Sequence, residues 1–395
     1  MSDSGWDRPA RAVTYRNWQQ PDLIHWSFSH VDRVLPTVPI SRKSGWVAVL
    51  TPTPVELGGV SVLVPTGQSL TVAEVVAATE TDAWLVAQHG RILTEGYFRT
   101  TGVGSRHLLQ SVSKSLVGTV VGALVRTGSI DPARTVATYV PELTGRAYGA
   151  ATVRQVLDMR SGIGFREDYA DPYSDSRILE AITGWAPLPA GVAPSTMRRF
   201  LQRLPQVRPH GGPFDYRSCE TDVLGLVCEG AAGEPFAELA SRLLWTPIGA
   251  SDDGNMCVDD EGTGVFDGGL CATARDLARF GHVIISEGAS LIGRQVLSPA
   301  WIEDLFRGGR DSPQAFAAAA VENSMPGGHY RSQFWVPSAS HDVVLALGIH
   351  GQLIYLDRRL GLVGVKLSSW PEPSNQWKTG AVIAMFAAIG RHLAG

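Results

Sequence analysis

Apolar runs separated by short polar or glycine-bearing stretches predict the first elements of the chain. Two such runs in Ala83–Phe98 flank the dipeptide His89-Gly90, which suits a tight turn, so we predict a β-hairpin there. The next apolar segment, Leu108–Val125, is long enough for a helix. Because glycine commonly follows the last helical turn, we expect this helix to end near Gly128.

The middle of the chain alternates short helical stretches with loops that contain Pro and Gly. In the last of these stretches, Leu277, Phe280 and Ile284 fall on one side of an amphipathic helix. The predicted helices are Thr152–Met159, with Thr152 as N-cap, Thr221–Ala232, Phe236–Trp245 and Thr273–Ser286.

Strand character returns near the end of the chain. The short connections between these runs favour an antiparallel sheet over a series of βαβ units. The predicted strands are Gln333–Val336, Val343–Ile349, Gln352–Leu356 and Leu362–Leu367, and a final helix is predicted over Asn375–Leu393.

This order of elements predicts an α+β fold, with an antiparallel sheet flanked by helices and an all-α insertion domain. Residues 81–130 and 282–395 would form the α/β body, and residues 131–281 a mainly helical insertion. Residues 1–80 are rich in Pro, Gly and Trp, and we expect them to form an arm packed on the body. A cleft between body and insertion is the expected place for chemistry.

Charge and hydropathy exclude two classes of partner. The chain has 395 residues and a net charge of −4, and it has no run rich in Lys and Arg, so a nucleic-acid partner has no support. No apolar run approaches the roughly 18 residues of a membrane span, so no membrane partner is expected. The first residues lack the apolar core of a secretory signal, which predicts a cytoplasmic protein.

Metal and cofactor chemistry have no support in the sequence either. The four cysteines share no metal-type spacing, and the histidines are scattered without an HExxH motif. We therefore expect no metal, no organic cofactor, and reduced thiols. No pattern encodes the oligomeric state, so a homodimer stays open.

The first candidate for chemistry is Ser111-x-x-Lys114, inside the apolar helix. The chain has only four lysines, and Lys114 is the one charged residue of its segment. On a helix this spacing places Ser111 and Lys114 side by side. Burial would lower the pKa of the amine and let it accept a proton from the hydroxyl. The alternative is a core helix whose lysine extends to the surface.

The second candidate is Tyr216, in a loop that follows the glycines and proline of His210–Pro213. Such a loop can hold a tyrosine towards a cleft. A phenol beside a lysine ammonium is biased towards phenolate and can transfer protons. The alternative is a packed tyrosine whose hydroxyl is hydrogen-bonded.

The third candidate is a late strand interrupted by Gly348 and Gly351. Glycine within a strand often marks a bulge or a close approach of the backbone to another group. A ligand along this edge would meet the N–H of Ile349, which makes that group a candidate oxyanion donor. The alternative is a kinked strand beside a hydrogen-bonded histidine.

These motifs, in this order, resemble the penicillin-recognising serine hydrolases, which include class C β-lactamases, DD-peptidases and related esterases. Three further segments resemble sequences of that family: GSIDPARTVATYVPEL, TVRQVLDMRSGIGF and GGLCATARDLARFG. Within it, the stretches SVSKSLVGTVVGAL, EDYADP, TARDLAR, GIHGQ and KLSSWP resemble the 6-aminohexanoate-dimer hydrolases. The resemblance runs from about residue 80 to the end and implies a β-lactamase-like fold.

The resemblance also implies roles for the matching residues. Ser111 would be the nucleophile, Lys114 the base that activates it, and Tyr216 the group that passes the proton to the leaving group. The backbone N–H groups of Ser111 and Ile349 would form the oxyanion hole, and the N-terminus of the helix would favour the developing negative charge. Lys114 and Tyr216 would titrate as a coupled pair, and which one takes the first proton stays open.

Further positions would meet the substrate. Tyr169 and Trp185 match residues that close over the substrate in the 6-aminohexanoate-dimer hydrolases. Glu180 and Asp267 fall where side chains meet the amino end of that substrate, and a carboxylate there suits an ammonium group. For both acids, the alternative is a solvated surface position.

The sequence departs from the family pattern in two motifs. Ser218 stands where the Tyr-x-Asn motif has its third residue, and the Lys-Thr-Gly motif is absent. Ala346-Leu347-Gly348 occupies that position in one register; in the other, His350 replaces the lysine. Either register weakens the positive charge that holds the carboxylate of a β-lactam.

The sequence therefore predicts a serine hydrolase with small-molecule ester or short linear amide substrates. An acyltransferase that uses the same acyl-enzyme is the alternative. A β-lactamase, a DD-peptidase or a catalytically silent binding module is less favoured.

Overall fold

The computed structural model describes Pro9, residues 11–319 and residues 323–395. Its strands are β1 (Thr37–Ile40), β2 (Thr51–Pro52), β3 (Ser61–Leu63), β4 (Ser69–Thr71), β5 (Thr81–Gln88), β6 (Arg91–Tyr97), β7 (His107–Leu108), β8 (Gly254–Cys257), β9 (Leu270–Ala272), β10 (His329–Arg331), β11 (Phe334–Val336), β12 (Val343–Gly348), β13 (Gln352–Asp357) and β14 (Leu362–Ser368).

The α-helices include the predicted ones and others that were not predicted. They are α1 (Ile24–Ser29), α2 (Val72–Ala78), α3 (Val112–Arg126), α4 (Val153–Leu157), α5 (Asp175–Ile182), α6 (Met197–Arg203), α7 (Cys219–Ala232), α8 (Phe236–Ala240), α9 (Ala274–Ile285), α10 (Pro299–Arg307), α11 (Ser312–Ala317) and α12 (Gln376–Leu393). Among those not predicted are α1, α2, α10 and α11. A π-helical stretch, Ser241–Trp245, continues α8. Capping explains several starts: the side chains of Thr152 and Thr273 each accept a backbone N–H in the first turn of their helices.

The main sheet joins both ends of the chain. Its strand order is β10-β11-β12-β13-β14-β5-β6-β2, and every pair is antiparallel except β2 with β6. The late strand β14 lies beside the early strand β5, with Val365 opposite Leu85. The predicted α+β class with an antiparallel sheet is confirmed.

Both faces of this sheet are covered, which explains the nearly continuous apolar character of its central strands. On one face Leu85, Val365 and Phe280 of α9 belong to one hydrophobic cluster. On the other face Trp84 and Phe386 of α12 belong to a second cluster. Because side chains alternate along a strand, neighbouring residues such as Trp84 and Leu85 serve different layers.

Helix α3 is buried almost throughout, from Val112 to Leu124. It packs against α7, against β12 and against the π-helical stretch. A helix that is apolar on all sides is buried within a protein, and this burial fixes its N-terminus, where Ser111 is the N-cap residue.

A second sheet, in the order β1-β8-β9-β7, was not predicted. Two of its strands, Gly254–Cys257 and Leu270–Ala272, lie in the segment 131–281 that was predicted to be mainly helical. They are too short to show a clear alternation of apolar and polar residues. Strand β1 brings part of the N-terminal 80 residues into this sheet.

None of the helices in the described ranges combines the length and apolar character needed to cross a membrane.

Candidate active site

Ser111 and Lys114 lie side by side at the N-terminus of α3. The Lys114 Nζ donates hydrogen bonds to the Ser111 Oγ, at 3.0 Å, and to the Asp267 carbonyl oxygen, at 2.6 Å. The side chain of Lys114 is only 1% exposed. The Lys114 amine does not extend to the surface. The geometry therefore supports a Ser111–Lys114 pair over a core helix with a surface-reaching lysine.

The backbone turns sharply just before the nucleophile position. Gln110 has a φ of +47°, in the left-handed region that non-glycine residues seldom adopt. The Leu109 N–H donates to the Leu270 carbonyl at 2.9 Å, which ties the turn to β9. The unpredicted second sheet therefore helps to hold Ser111 in place.

The expected direction of the Lys114 pKa shift was wrong. Burial alone lowers the pKa of this amine, but the neighbouring Tyr216 and the carboxylates of Asp267, Glu167 and Asp222 outweigh burial, so its pKa is raised above the usual value. At neutral pH the free protein therefore holds Lys114 as an ammonium. The acidic neighbours were not apparent from the sequence around the motif.

Tyr216 lies against Lys114 and is held from both sides. Its ring stacks on Trp335 with centroids 5.4 Å apart, and the Lys114 Nζ is 5.5 Å from its ring centroid. The loop is anchored because the Asp215 N–H donates to the Met159 carbonyl at 3.0 Å. Burial raises the pKa of Tyr216, and the Lys114 charge only partly offsets this.

The end of β12 passes directly beside the nucleophile. A Cβ added at Gly348 would lie 2.8 Å from the Leu109 carbonyl oxygen and 3.1 Å from the Ser111 nitrogen. Only a residue without a side chain permits this approach. The approach brings the backbone of Ile349 to the same cavity wall as Ser111, and it favours the register in which Gly348 belongs to the third motif.

Glu167 is a central residue of the site that the sequence did not identify as functional. Its carboxylate accepts hydrogen bonds from the Ser218 N–H, at 2.8 Å, and from the Ser218 Oγ, at 2.6 Å. It also accepts one from the Tyr169 hydroxyl. Glu167 opens the EDYADP stretch, but a single acid in a loop carries no signal of this contact. Ser218 and Tyr169 are thus joined through Glu167.

A recess of about 30 Å³ lies beside Ser111, and its wall includes Glu180, Asp267, Trp185 and Tyr169. Sequence reasoning had left Glu180 and Asp267 with solvated surface positions as the alternative. The Arg177 Nη1 donates to the Glu180 carboxylate at 2.6 Å, yet burial raises the pKa of Glu180 to about 7. The structure therefore brings both predicted acids together beside the nucleophile.

Asp222 lies behind this recess and was not predicted either. It accepts a hydrogen bond from the Asp267 N–H at 3.1 Å. Burial, together with the Asp267 carboxylate, raises the pKa of Asp222 well above its usual value, although the Lys114 charge opposes this. Asp222 lies in the first turn of α7 beside Glu220, where acidic residues are common at a helix start, so the sequence gave no sign of a contact with the site.

A comparison with protein-family models supplies the family. The model described as Beta-lactamase matches residues 71–385.

The chain belongs to the beta-lactamase family.

Relatives within this family agree with that assignment. The chain is 37% identical to the 6-aminohexanoate-dimer hydrolase of Paenarthrobacter ureafaciens over 96% of this chain and 94% of that one. It is 28% identical to the esterase EstB of Burkholderia gladioli over 45% of this chain and 47% of that one. The predicted resemblance is confirmed, and this beta-lactamase-family protein is a serine hydrolase.

Among solved structures, a protein of Bacillus anthracis assigned as a 6-aminohexanoate-dimer hydrolase has the same fold. It is 25% identical to this chain, with a TM-score of 0.89, and the match covers 98% of this chain and 99% of that one. The match therefore extends beyond the part covered by the family model and includes the N-terminal segment.

The main cavity of this beta-lactamase-family chain has a volume of about 840 Å³, and Ser111, Tyr169, Tyr216 and Ile349 all line it. Ligand sites of small molecules fall in a range of roughly 300–1,000 Å³. The cavity and the acidic recess share Ser111, Tyr169 and Ile349 in their walls. Ser111 therefore stands where a large and a small compartment meet.

His350, expected beside the substrate, is instead buried behind the cavity wall. Its Nδ1 is 2.6 Å from the Trp370 carbonyl oxygen, and Phe28 packs edge-on against its ring. Burial lowers the pKa of His350 to about 4, so the ring is neutral. The backbone φ of +59° turns this residue away from the strand direction. In this position the imidazole does not replace the absent motif lysine.

Proposed function

We propose that the protein hydrolyses carboxylic esters and short linear amides through an acyl-enzyme on Ser111. The observation that carries the proposal is the 3.0 Å contact between the buried Lys114 Nζ and the Oγ of Ser111, which lines the cavity. A serine hydroxyl is a weak nucleophile until a base within hydrogen-bonding distance takes its proton. Lys114 and Tyr216 are the candidates for that base.

In the first step the Ser111 Oγ bonds to the carbonyl carbon of the substrate, and its proton passes to the Lys114–Tyr216 pair, which must already have released one proton to solvent. The N–H groups of Ser111 and Ile349 are the proposed donors to the oxyanion, and the N-terminus of α3 adds its dipole. The bond to the leaving group then breaks, and Tyr216 returns the proton to the departing oxygen or nitrogen. Water attacks the acyl-enzyme in the reverse sense and releases the acid.

The charge around the cavity supports neutral substrates. Its described lining includes no Lys, Arg or His residue, and Leu347 stands in the third motif where a penicillin binder has a hydroxyl residue. A substrate carboxylate would enter this cavity without an ionic partner, at a large desolvation cost. We therefore favour esters and linear amides over β-lactams.

The acidic recess supports an ammonium group on some substrates. Glu180 and Asp267 both reach this compartment, and near-neutral titration leaves Glu180 partly ionised at pH 7. A short amine-bearing group would find its counter-charge there. The ammonium end of a 6-aminohexanoate-type amide suits these acids, whereas the carboxylate at the other end of the free dimer has no cationic partner in the described cavity lining.

A panel of p-nitrophenyl esters, run beside the linear 6-aminohexanoate dimer, tests the proposal. We expect turnover in the wild type and a loss of at least about 10³-fold in kcat/KM for Ser111→Ala. Ser340→Ala, on an exposed turn, is the matched control and should keep full activity. Product analysis with an added alcohol separates hydrolysis from acyl transfer, because transfer would give a new ester in place of the free acid. Equal activity in Ser111→Ala and the wild type would refute the proposal.

A further inference from the structure

Most of the residues that line the 840 Å³ cavity are not among the catalytic groups, and apolar side chains form one of its walls. Leu347, Leu353, Trp335 and Met325 contribute to this wall. All four belong to or pack against the hydrophobic cluster beneath α12. The apolar interior of the protein thus continues into the cavity.

The opposite wall comes from the N-terminal segment and from the first turns of α12. Pro65 and Thr66, in the turn between β3 and β4, line the cavity together with Trp377, Gly380 and Ile383 of α12. This contact is close, because a Cβ added at Gly380 would lie 2.6 Å from the Pro65 Cγ. Strand β3 packs along α12. The N-terminal segment therefore completes the cavity.

Away from the catalytic groups, the described cavity lining has no ionisable side chain that could pair with a charged ligand. The ionisable residues of the cavity's described lining are Glu167, Tyr169 and Tyr216, which all lie at the catalytic end. Glu167 is already engaged by Ser218 and Tyr169. A charged group moved into such surroundings would lose its hydration without compensation, whereas an apolar group would gain from leaving water.

We propose that this part of the cavity, here called the apolar chamber and bounded by Thr66, Trp335, Leu347, Trp377 and Ile383, binds a bulky neutral alkyl or aryl group of the substrate. This inference rests on the proposed hydrolase function and names the substrate class. The recess on the other side of Ser111 has only about 30 Å³, so it accepts a small group. The substrate is therefore asymmetric about the bond that is cleaved.

Two ester series identify which side of that bond enters the apolar chamber. One series lengthens the acyl chain of p-nitrophenyl esters from two to ten carbons, and the other lengthens the alcohol of alkyl acetates over the same range. We expect kcat/KM to rise about fourfold per added methylene in one series until the chamber is full, since that is the gain from burying one methylene. A flat or falling profile in both series would overturn the proposal.

Two variants reduce the volume of the chamber without touching the catalytic groups. Ile383→Trp fills it from α12, and Thr66→Trp fills it from an exposed turn that tolerates a larger side chain. Each should lower kcat/KM for the longest esters at least tenfold more than for the acetate ester, while Arg391→Ala, at the exposed end of α12 and outside the cavity lining, is the control and should leave both unchanged. Equal effects on long and short esters, or none in either tryptophan variant, would contradict the inference.

A binding measurement separates this inference from the hydrolase proposal. Calorimetric titration of Ser111→Ala with neutral methyl ketones of increasing chain length needs no turnover. We expect affinity to increase with chain length and to fall at least tenfold in Ser111→Ala combined with Thr66→Trp. If the ketones bind to Ser111→Ala but the wild type cleaves no ester, the proposed hydrolase function is wrong and the assignment of the apolar chamber as a binding site is retained. If esters are cleaved but no ketone binds at any length, the chamber assignment fails.

Discussion

At the residue scale, the contact between Lys114 and Ser111 defines the site, and its charge state controls the chemistry. The Lys114 amine is buried but surrounded by Tyr216, Asp267, Glu167 and Asp222, which together keep its pKa above the usual value. Tyr216 also has a raised pKa. The free protein near neutral pH therefore has an ammonium and a neutral phenol, and one proton must leave this coupled pair before it can accept another.

This charge state predicts a rising pH profile. Both groups hold their protons below raised pKa values, so the fraction with a free base grows as pH increases. For a neutral ester we expect log kcat/KM to increase with a slope of about +1 from pH 6 to pH 9. Initial rates, corrected for spontaneous hydrolysis at each pH, provide the measurement. A plateau that begins at or below pH 7 would show that the base is already free there, against the pKa directions of Lys114 and Tyr216.

The sequence was informative about Ser111, Lys114 and Tyr216 because each lies in a short motif with a fixed spacing or a recognisable loop. It did not identify Glu167, whose contacts join its own loop, which includes Tyr169, to Ser218 at the start of α7. It also gave the wrong direction for the Lys114 pKa. Local spacing shows which residues share a helix face, but acids that approach from other elements appear only in the folded chain.

At the element scale, strand β12 and helix α3 meet through Gly348. The missing side chain lets the strand end lie against the Leu109 carbonyl and the Ser111 amide. The following turn, Ile349–Gly351, is held by Gln352, whose Nε2 donates to the His350 carbonyl at 3.2 Å and to the Ser368 carbonyl at 2.7 Å. The position of the proposed Ile349 oxyanion donor therefore depends on β13 and β14 as well as on its own strand.

We predict that Gly348→Ala impairs catalysis more than folding. The added methyl would lie 2.8 Å from the Leu109 carbonyl, so the strand end must move away from Ser111 and misplace the Ile349 N–H. Loss of one oxyanion donor lowers kcat by about 10²–10³-fold, with KM changed little. Gly104→Ala is the matched control, since a Cβ there meets nothing within 4 Å. An unchanged kcat in a folded Gly348→Ala variant would show that catalysis does not depend on the close approach of the β12 end to Ser111.

The pattern of the chain identified most of the elements that form the body. The hairpin about His89-Gly90 and the strand and helix order of the last part were predicted from period and turn residues alone. Strands β8 and β9 were missed because four or three residues are too few to show a period. The predicted helix Thr152–Met159 was also too long at its C-terminal end, since α4 ends at Leu157.

At the scale of the whole molecule, the pairing of β14 with β5 joins the late and early strands into one main sheet, and α12 covers one face of it. The same helix supplies Trp377 and Ile383 to the cavity. Stability and substrate binding thus share one element. The sequence predicted that the body combines both ends of the chain, but not that the N-terminal segment reaches the cavity, because that contact joins Pro65 with Gly380 across an irregular stretch.

Phe386→Ala tests the role of α12 in stability. The Phe386 side chain is fully buried, stacks on Tyr355 with centroids 5.8 Å apart, and lies where a Cβ on Gly364 would meet its ring. Its removal should lower the free energy of unfolding by about 3–5 kcal/mol, measured by urea denaturation. His392→Ala, near the end of the same helix and exposed, is the control. A loss below about 1 kcal/mol would mean that the helix is not anchored at this position.

The most direct test of the acyl-enzyme account is the mass of the protein after reaction with a p-nitrophenyl phosphonate ester. Intact-protein mass spectrometry should show one covalent adduct in the wild type, and peptide mapping should place it on Ser111. Ser111→Ala should stay unmodified under the same conditions. An adduct on another residue, or one that persists in Ser111→Ala, would contradict the central claim that Ser111 is the nucleophile.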